Sequence, residues 1–497
     1  MFRFKRTICL SVVLMLLSSA ALFAVDDARV PTQDEIVGWL DEFCKSDNRR
    51  PGEPGGLAGE DFVYKKFMEF GLENVRKEPV EITLWRAVEW SLKVKGDGVE
   101  EEIPTFYTLN TGFTPDEGIS AELVYVRSGS EEDFNTIDVK GKIAVIDMEF
   151  ATLPLLPLML LKGYYLYDPD KTFTWWASQP ACWVRKNWNI DKDTSKSAYE
   201  LAKKSGALAV VWILKDQPAN VVTHYGPYDG EMKDLPALYV GRDDGARLKE
   251  MLAAGSLQAT FVQTGTMTPG VMHNVHGVLP GKSNEIVLIT SHHDSPFKGY
   301  IEDGTGISMV LSLAKYFSQV PQEEREKTMV FLASSGHFYG SKGIETWLEN
   351  HKEDIADKTV MNLNIEHVAA KEFVEDKGGD YHYTGKPQLR GIFIDNNDHM
   401  KDAIGEALRD NNLTRSAVIA IDALGKDPPG EGRFPHRLGI PVIHYISGPS
   451  YLLVDADYRE KVILEELVPA AKTFIEIVEK LSTLSGGDLK PKAEEQK

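Results

Sequence analysis

The chain has 497 residues and a formal net charge of −20 at pH 7. That length allows two or three domains with sizeable cores, and the charge disfavours nucleic acid and anionic membrane surfaces as partners. Three cysteines are too few for disulfides to hold such a chain together.

Lys5 and Arg6 precede an apolar, small-residue run over 7–24, followed by Asp26 and Asp27. This is the charge pattern of a secretory signal, with Ser19-Ala20-Ala21 as a small-residue cleavage site. We therefore expect residues 1–24 to be removed and the protein to be exported, periplasmic or extracellular. The run is also nearly long enough to span a bilayer. An uncleaved amino-terminal anchor is the alternative, and only then is a membrane a partner. Cys9 lies in this run, so Cys44 and Cys182 are the cysteines of the mature chain.

The apolar spacing predicts helices over 35–43 and around 59–70, with strands over 80–85 and 91–94, in a first domain segment covering 25–113. The texture changes over 114–266. Short apolar strands are predicted at 121–126, 141–147, 207–213 and 235–241, with a helix over 197–204 ending at Gly206. Within this segment, 151–189 is unusually rich in aromatics, including Tyr164, Tyr165, Tyr167, Trp175, Trp176, Trp183 and Trp188. Pro154, Pro157 and Pro169 argue there against a membrane span or a long helix. It reads as an ordered loop packed on a neighbouring domain, or as a lid over a cleft, since aromatic side chains bind apolar or sugar-like surfaces well. A second stretch of the first domain follows over 267–484. Gly486, Gly487, Pro491 and several charges mark 485–497 as a disordered tail.

The most informative stretch is 286–306. An apolar, β-branched strand delivers His292, His293 and Asp294 at its carboxyl end, where open α/β sheets place their ligands. A loop bounded by Gly299 and Gly304 adds Glu302 and Asp303, and Ile307, Val310, Leu311, Ala314 and Phe317 then carry the one-sided spacing of a helix. Imidazole nitrogen with carboxylate oxygen suits zinc, and an outer carboxylate can fix the imidazole tautomer.

With these residues the chain resembles the zinc aminopeptidases of the MH clan, which include secreted and vacuolar aminopeptidases and the glutamate carboxypeptidase-like branch. Their pattern is a strand ending His-x-Asp-Ser, followed by Gly-Ala-x-Asp-Asn-Gly-Ser-Gly opening a helix. Here it reads His292-His293-Asp294-Ser295 and Gly299 to Gly306. Arg49 to Gly55, Ser334-Ser335-Gly336-His337, Asn362-Leu363-Asn364-Ile365 and Gly439-Ile440-Pro441 resemble further family segments, so the likeness extends over most of 35–480. It implies an α/β fold, a mixed central sheet flanked by helices. It also implies that 114–266 is an inserted, mainly β protease-associated domain.

The resemblance implies a two-zinc site, and here several positions depart from it. His292 matches the first ligand, Asp294 the carboxylate near it, and Glu302 the bridging aspartate, one methylene longer. Ser334 and Ser335 stand where a general-base glutamate and a glutamate ligand belong, Asn364 replaces an aspartate ligand, and the terminal histidine is lost around Tyr451-Leu452-Leu453. However, His337 lies two residues beyond Ser335, and Glu366 and His367 follow Asn364. In extended chain, residues two apart share a face, so ligands can have moved toward the sheet's carboxyl edge. The candidate metal ligands are therefore His292, Glu302, Asp303, His337, Glu366 and His367, with Asp294 and Glu366 as candidate catalytic carboxylates. We expect one zinc, or another divalent ion, and a peptide or N-acyl amino acid substrate cleaved as in aminopeptidases. Two alternatives stay open: a catalytically silent relative that binds ligands, and single-zinc chemistry like that of glutaminyl cyclases. The sequence gives no oligomeric state.

Overall fold

The computed structural model describes residues 25–96, 98–172, 184–191 and 194–492. The predicted export segment, Trp175, Trp176, Trp183 and Cys182 lie outside these residues. Helix α1 (Gln33–Phe43) begins at a capping box in which Thr32 and Glu35 satisfy each other's backbone N–H groups. It buries Ile36, Trp39, Leu40 and Phe43. Helix α2 (Pro54–Glu69) starts five residues earlier than its apolar spacing suggests, with proline at its first position, where φ is already helical and no N–H is missed.

Two short strands were expected next. The chain instead forms one long strand, β1 (Glu73–Gly96), followed by β2 (Thr105–Tyr107), β3 (Ile119–Tyr125) and β4 (Ile143–Met148). Helix α3 (Leu155–Lys162) and strand β5 (Gly163–Tyr167) come from the aromatic segment. Then follow α4 (Thr194–Lys204), β6 (Ala209–Leu214), β7 (Ala237–Val240), α5 (Arg242–Ala254) and β8 (Gln258–Leu279). β1 pairs antiparallel with β8 along nearly its full length. That partner, rather than local alternation, makes β1 continuous, since cross-strand packing overrides intrinsic preference.

The main elements that follow are β9 (Ser283–His292), α6 (Thr305–Ser318), β10 (Lys327–Ser334), α7 (Lys342–Asn350), β11 (Thr359–Ile365), β12 (Arg390–Ile394), α8 (Asp398–Asp410), β13 (Ser416–Ala420), β14 (Val442–Ser447) and α9 (Leu467–Ser482). The sheet runs β2-β7-β6-β4-β3-β8-β10-β9-β11-β14-β12-β13-β5. Neighbours β10, β9, β11 and β14 are parallel, whereas β8, β12 and β5 pair antiparallel with their neighbours β10, β14 and β13. The result is a mixed α/β sheet flanked by helices. Val287, Ile289, Phe331, Leu363 and Ile443 from the parallel strands join the apolar faces of α6 and α9 in the main core. The parallel strands' carboxyl ends all open on one edge.

Three expectations change. First, the 114–266 segment, though richer in strand than in helix, is not an all-antiparallel unit. Its strands β3, β4, β6 and β7 are mutually parallel, and parallel neighbours need crossover connections that helices supply. α4 accordingly joins an apolar cluster of this segment with Ile146, Val210, Trp212 and Tyr239. Second, the tail is ordered as far as it is described: Leu489 is buried and Asn397 Nδ2 donates to the carbonyls of Asp488 and Lys490. Third, Tyr164, Tyr165 and Tyr167 form no lid. β5 pairs with β13 at the sheet edge, Lys401 Nζ lies 4.3 Å from the Tyr164 ring centroid, and the Tyr165 hydroxyl reaches Lys401 O. Strands β13, β12, β14 and β11 separate β5 from β9, a span of roughly 24 Å at the usual strand spacing.

Candidate metal centre

Strand register brings the key residues to one edge. His292 ends β9 opposite Ser334 at the end of β10, and Thr290 faces Asn364 of β11. The chain turns beyond each strand, presenting Glu302 and Asp303 before α6, His337 after β10, and Glu366 and His367 after β11. All are buried.

The Glu302 loop is held from three sides. Arg49, fully buried, donates to the carbonyls of His293, Lys298, Gly299 and Glu302. Asp457 accepts the N–H groups of Ile301 and Glu302 at 2.8–3.0 Å. Gly299 has φ 59°, and a Cβ there would lie 2.1 Å from the Glu302 carbonyl, so no side chain fits. Burial pushes the Asp457 carboxyl up to about 7, against the two N–H bonds and Arg49.

His292 Nδ1 lies 3.0 Å from the Asp294 carbonyl, and His367 Nδ1 lies 2.6 Å from that of Ser447. Each Nδ1–H therefore has an acceptor, and each Nε2 is turned inward. Glu302 spans them, with Oε1 3.2 Å from His292 Nε2 and Oε2 2.8 Å from His367 Nε2. The His337 ring stacks on that of His292 with centroids 4.1 Å apart. His367 sits at φ 56°, a conformation that costs a β-carbon-bearing residue energy. Its N–H donates to Asp303 Oδ1 and Ser447 Oγ donates to its carbonyl.

The ligand atoms of His292, Glu302 and His337 lie within 4.8 Å of one another, as do those of His292, Glu366 and His367. The site thus brings together five of the predicted ligands. Asp303 borders the cluster, with Oδ2 3.9 Å from His292 Nε2, but its oxygens accept from Ser291 Oγ and the His367 N–H, so it braces the loop. Asp294 lies toward the N–H groups of His337 and Phe338 and beside His292 Nδ1, on the side of that ring away from its inward Nε2. His293 points to the opposite face and meets the His273 carbonyl, as strand alternation requires.

Two groups lay beyond the sequence reading. Glu431 reaches the cluster from the Gly430-Glu431-Gly432 loop, and Ser334 Oγ donates to its Oε2. His444, in β14, accepts from Asn364 Nδ2 at 2.8 Å. Asn364 also donates to Glu366 Oε1 at 2.7 Å, and its own oxygen accepts from Thr290. The only signal for Glu431 was a charged residue between two glycines; for His444 it was a polar residue at a buried strand position.

Burial alone would raise the Glu302 carboxyl, but His367 and His292 hold it well below the carboxylate range. Burial would likewise raise Glu366, yet the surrounding histidines, His444 foremost, bring it to about 2. His367 is raised to about 9 against its burial, chiefly by Glu302, while burial lowers His444 to about 4. These groups form a buried concentration of negative charge with His292 and His367, both raised by the carboxylates, as its counter-ions.

His292 Nε2, Glu302 Oε1, His337 Nδ1, His367 Nε2, Glu366 Oε2 and Glu431 Oε1 are buried without a hydrogen-bond partner among the described residues. Such orphans cost about 1–3 kcal/mol each when left unmade, and a divalent cation between His292 Nε2, His367 Nε2 and Glu302 Oε1 satisfies those three together. The donor set, imidazole plus carboxylate, fits zinc. A second cluster, Glu78, His276 and His351, gives the contrast. There His351 is hydrogen-bonded to both Glu78 and Asp354, and His276 Nδ1 accepts from Trp347, so a hydrogen-bonded network already occupies those nitrogens.

Residues 274–417 match the model of peptidase family M28. Among curated proteins, the chain is 23% identical to carboxypeptidase Q of Xenopus laevis over 363 residues, covering 70% of this chain and 66% of that protein. It is 24% identical to aminopeptidase YwaD of Bacillus subtilis over 342 residues, covering 67% of this chain and 59% of that protein. The chain spans about half to two thirds of the length of the curated relatives it matches. Among solved structures, a zinc aminopeptidase from Bacillus subtilis superimposes with TM-score 0.64 at 17% identity, covering 93% of this chain and 98% of that one. A peptidase M28 precursor from Shewanella amazonensis gives TM-score 0.65 at 18% identity, covering 93% and 99%. The stretch that contributes His292, Glu302, His337, Glu366 and His367 thus lies within the residues that match the peptidase family M28 model, and the chain shares the fold of these structures.

Proposed function

We propose that this protein is an exported, metal-dependent exopeptidase-like hydrolase with a rebuilt single-ion site, acting on peptides or N-acyl amino acids. One observation carries the reading: the unpartnered nitrogens and carboxylate oxygens of His292, Glu302, His337, Glu366 and His367 converge in a buried cluster at the sheet's carboxyl edge. Both ligand groups share His292, whose Nδ1 faces the Asp294 carbonyl. One imidazole nitrogen serves one ion, which supports a single ion shared by the two groups. The amino-terminal charge pattern supports export.

A divalent ion in this site supplies Lewis-acid activation of a scissile carbonyl and of water. The chain does the rest. Glu302 is fixed between His292 and His367, and its loop by Arg49 and Asp457. With the ion held by the imidazoles and Glu302, Glu366 acts from outside its ligand set: Oε1 is occupied by Asn364 Nδ2 and the Glu431 N–H, so its ionised, unpartnered Oε2 is the oxygen left to take a proton from water and hand it to the leaving amine. Tyr228, stacked on His337, and Phe338, packed on Tyr225, form an aromatic wall beside the site that suits an apolar substrate side chain.

The test is turnover of aminoacyl anilides and N-acyl amino acids by metal-replete protein. We expect weak, chelator-sensitive hydrolysis, reduced about 10²- to 10⁴-fold by Glu366→Gln and abolished by His292→Ala. Turnover indifferent to chelation and to both substitutions contradicts the proposed site. No turnover of either substrate class by metal-replete protein replaces the enzyme with a binding protein.

A further inference from the structure

Ser334 ends β10 with a hydroxyl where the resemblance calls for a carboxylate. A carboxylate is nevertheless present, delivered by the 430–432 loop. Gly430 adopts φ 62°, and a Cβ there would lie 2.5 Å from Glu366 Oε2, so the loop can rest on Glu366 only as glycine. The Glu431 N–H then donates to Glu366 Oε1 at 3.0 Å, and Ser334 Oγ fixes Glu431 Oε2.

That leaves Glu431 Oε1. It is fully buried, has no hydrogen-bond partner, and lies 3.5 Å from His337 Nδ1, which has none either. The His337 ring is held between two others, stacked on His292 at 4.1 Å and 14° and on Tyr228 at 5.6 Å and 21°. Stacking fixes the plane of an imidazole but not which edge faces which neighbour. Within that plane, a carboxylate beside one nitrogen selects the tautomer and orientation. Ligating histidines generally have such a partner on their second nitrogen.

We propose that Glu431 is a positioning residue for His337: it accepts the Nδ1–H and so presents Nε2 to the ion. This inference rests on the metal-dependent reading above. It assigns to Glu431 an orienting task that Ser334, as the anchor of its other oxygen, makes possible.

The experiment compares wild type with Glu431→Gln and Ser334→Ala, each stripped with chelator and titrated with zinc against a chromophoric competitor. A parallel set is loaded with cobalt(II) and read by visible absorption. A glutamine that accepts from Ser334 turns its NH₂ toward His337 and favours the opposite tautomer. We expect Glu431→Gln to weaken zinc binding about 10- to 100-fold and to alter the cobalt spectrum, with the melting temperature of the metal-free protein unchanged. Ser334→Ala should give a smaller loss in the same direction. Wild-type zinc affinity and an unaltered cobalt spectrum in Glu431→Gln would overturn the role of Glu431 while leaving the metal-dependent reading intact. Failure of the wild type itself to bind zinc or cobalt would instead remove that reading. If Glu431→Gln does not fold, Glu431→Asp serves in its place: the shorter side chain cannot hold both partners, and undiminished affinity again overturns the proposal.

Discussion

Glu302 is the residue on which the two sides of the cluster meet. Its oxygens lie 3.2 Å from His292 Nε2 and 2.8 Å from His367 Nε2, so its length is used. Glu302→Asp pulls the carboxylate back by one methylene and cannot keep both approaches. Zinc affinity should fall at least about tenfold, measured by chelator competition; an unchanged affinity would mean that the extra methylene is incidental. Asp457 makes a different prediction. Burial raises its folded pKa from 3.8 to about 7, so between those values the folded state keeps a proton that the unfolded chain has lost. Stability from this group is therefore greatest below pH 4, falls as pH rises to about 7, and is level above. Asp457→Asn lacks the titration. Denaturant unfolding of the metal-free proteins should show the wild type losing ground to the variant across that window, by up to about 4 kcal/mol. A constant difference from pH 4.5 to 7.5 would contradict the assignment.

At the scale of elements, what was legible in the sequence was what local pattern controls. The β9 strand, the amphipathic α6 and the glycine-bounded loop between them follow from apolar spacing and glycine placement, and with them came His292 and Glu302. The spacing of two residues placed His337 and Glu366 beside the departures at Ser335 and Asn364. What stayed hidden depends on long-range pairing. β1 is continuous only because β8 runs its whole length, and Glu431 meets Ser334 across 97 residues of sequence. Asp303 and Asp294 carry the right chemistry, but backbone N–H groups and the Ser291 hydroxyl already claim them, which composition cannot reveal. For the described tyrosines of the aromatic segment the packed alternative holds over the lid, and the strand stayed hidden for the same reason: β5 looks like a loop until β13 supplies its partner. Tyr165→Ala should therefore cost about 1–3 kcal/mol of stability and leave zinc affinity untouched. Weakened metal or substrate binding without loss of stability would restore the lid.

Across the whole molecule, the long β8 ties the site to the 114–266 segment. Its first residues pair with β3 and its last with β10, and the same sheet carries the parallel strands whose carboxyl edge holds the cluster. The segment contributes Tyr228 and Tyr225 to the aromatic wall, so the surroundings of the cluster are built from both parts of the chain. No helix among the described residues is long and apolar enough to cross a membrane. The buried carboxylates and imidazoles at the sheet edge are an assembly that is expensive to keep without a cation and economical with one. Zinc titration of chelator-stripped protein, followed by mass spectrometry under native conditions, tests this most directly. The account predicts one zinc per chain, lost in His292→Ala. No bound ion in the wild type, or two ions retained at comparable affinity, would contradict it.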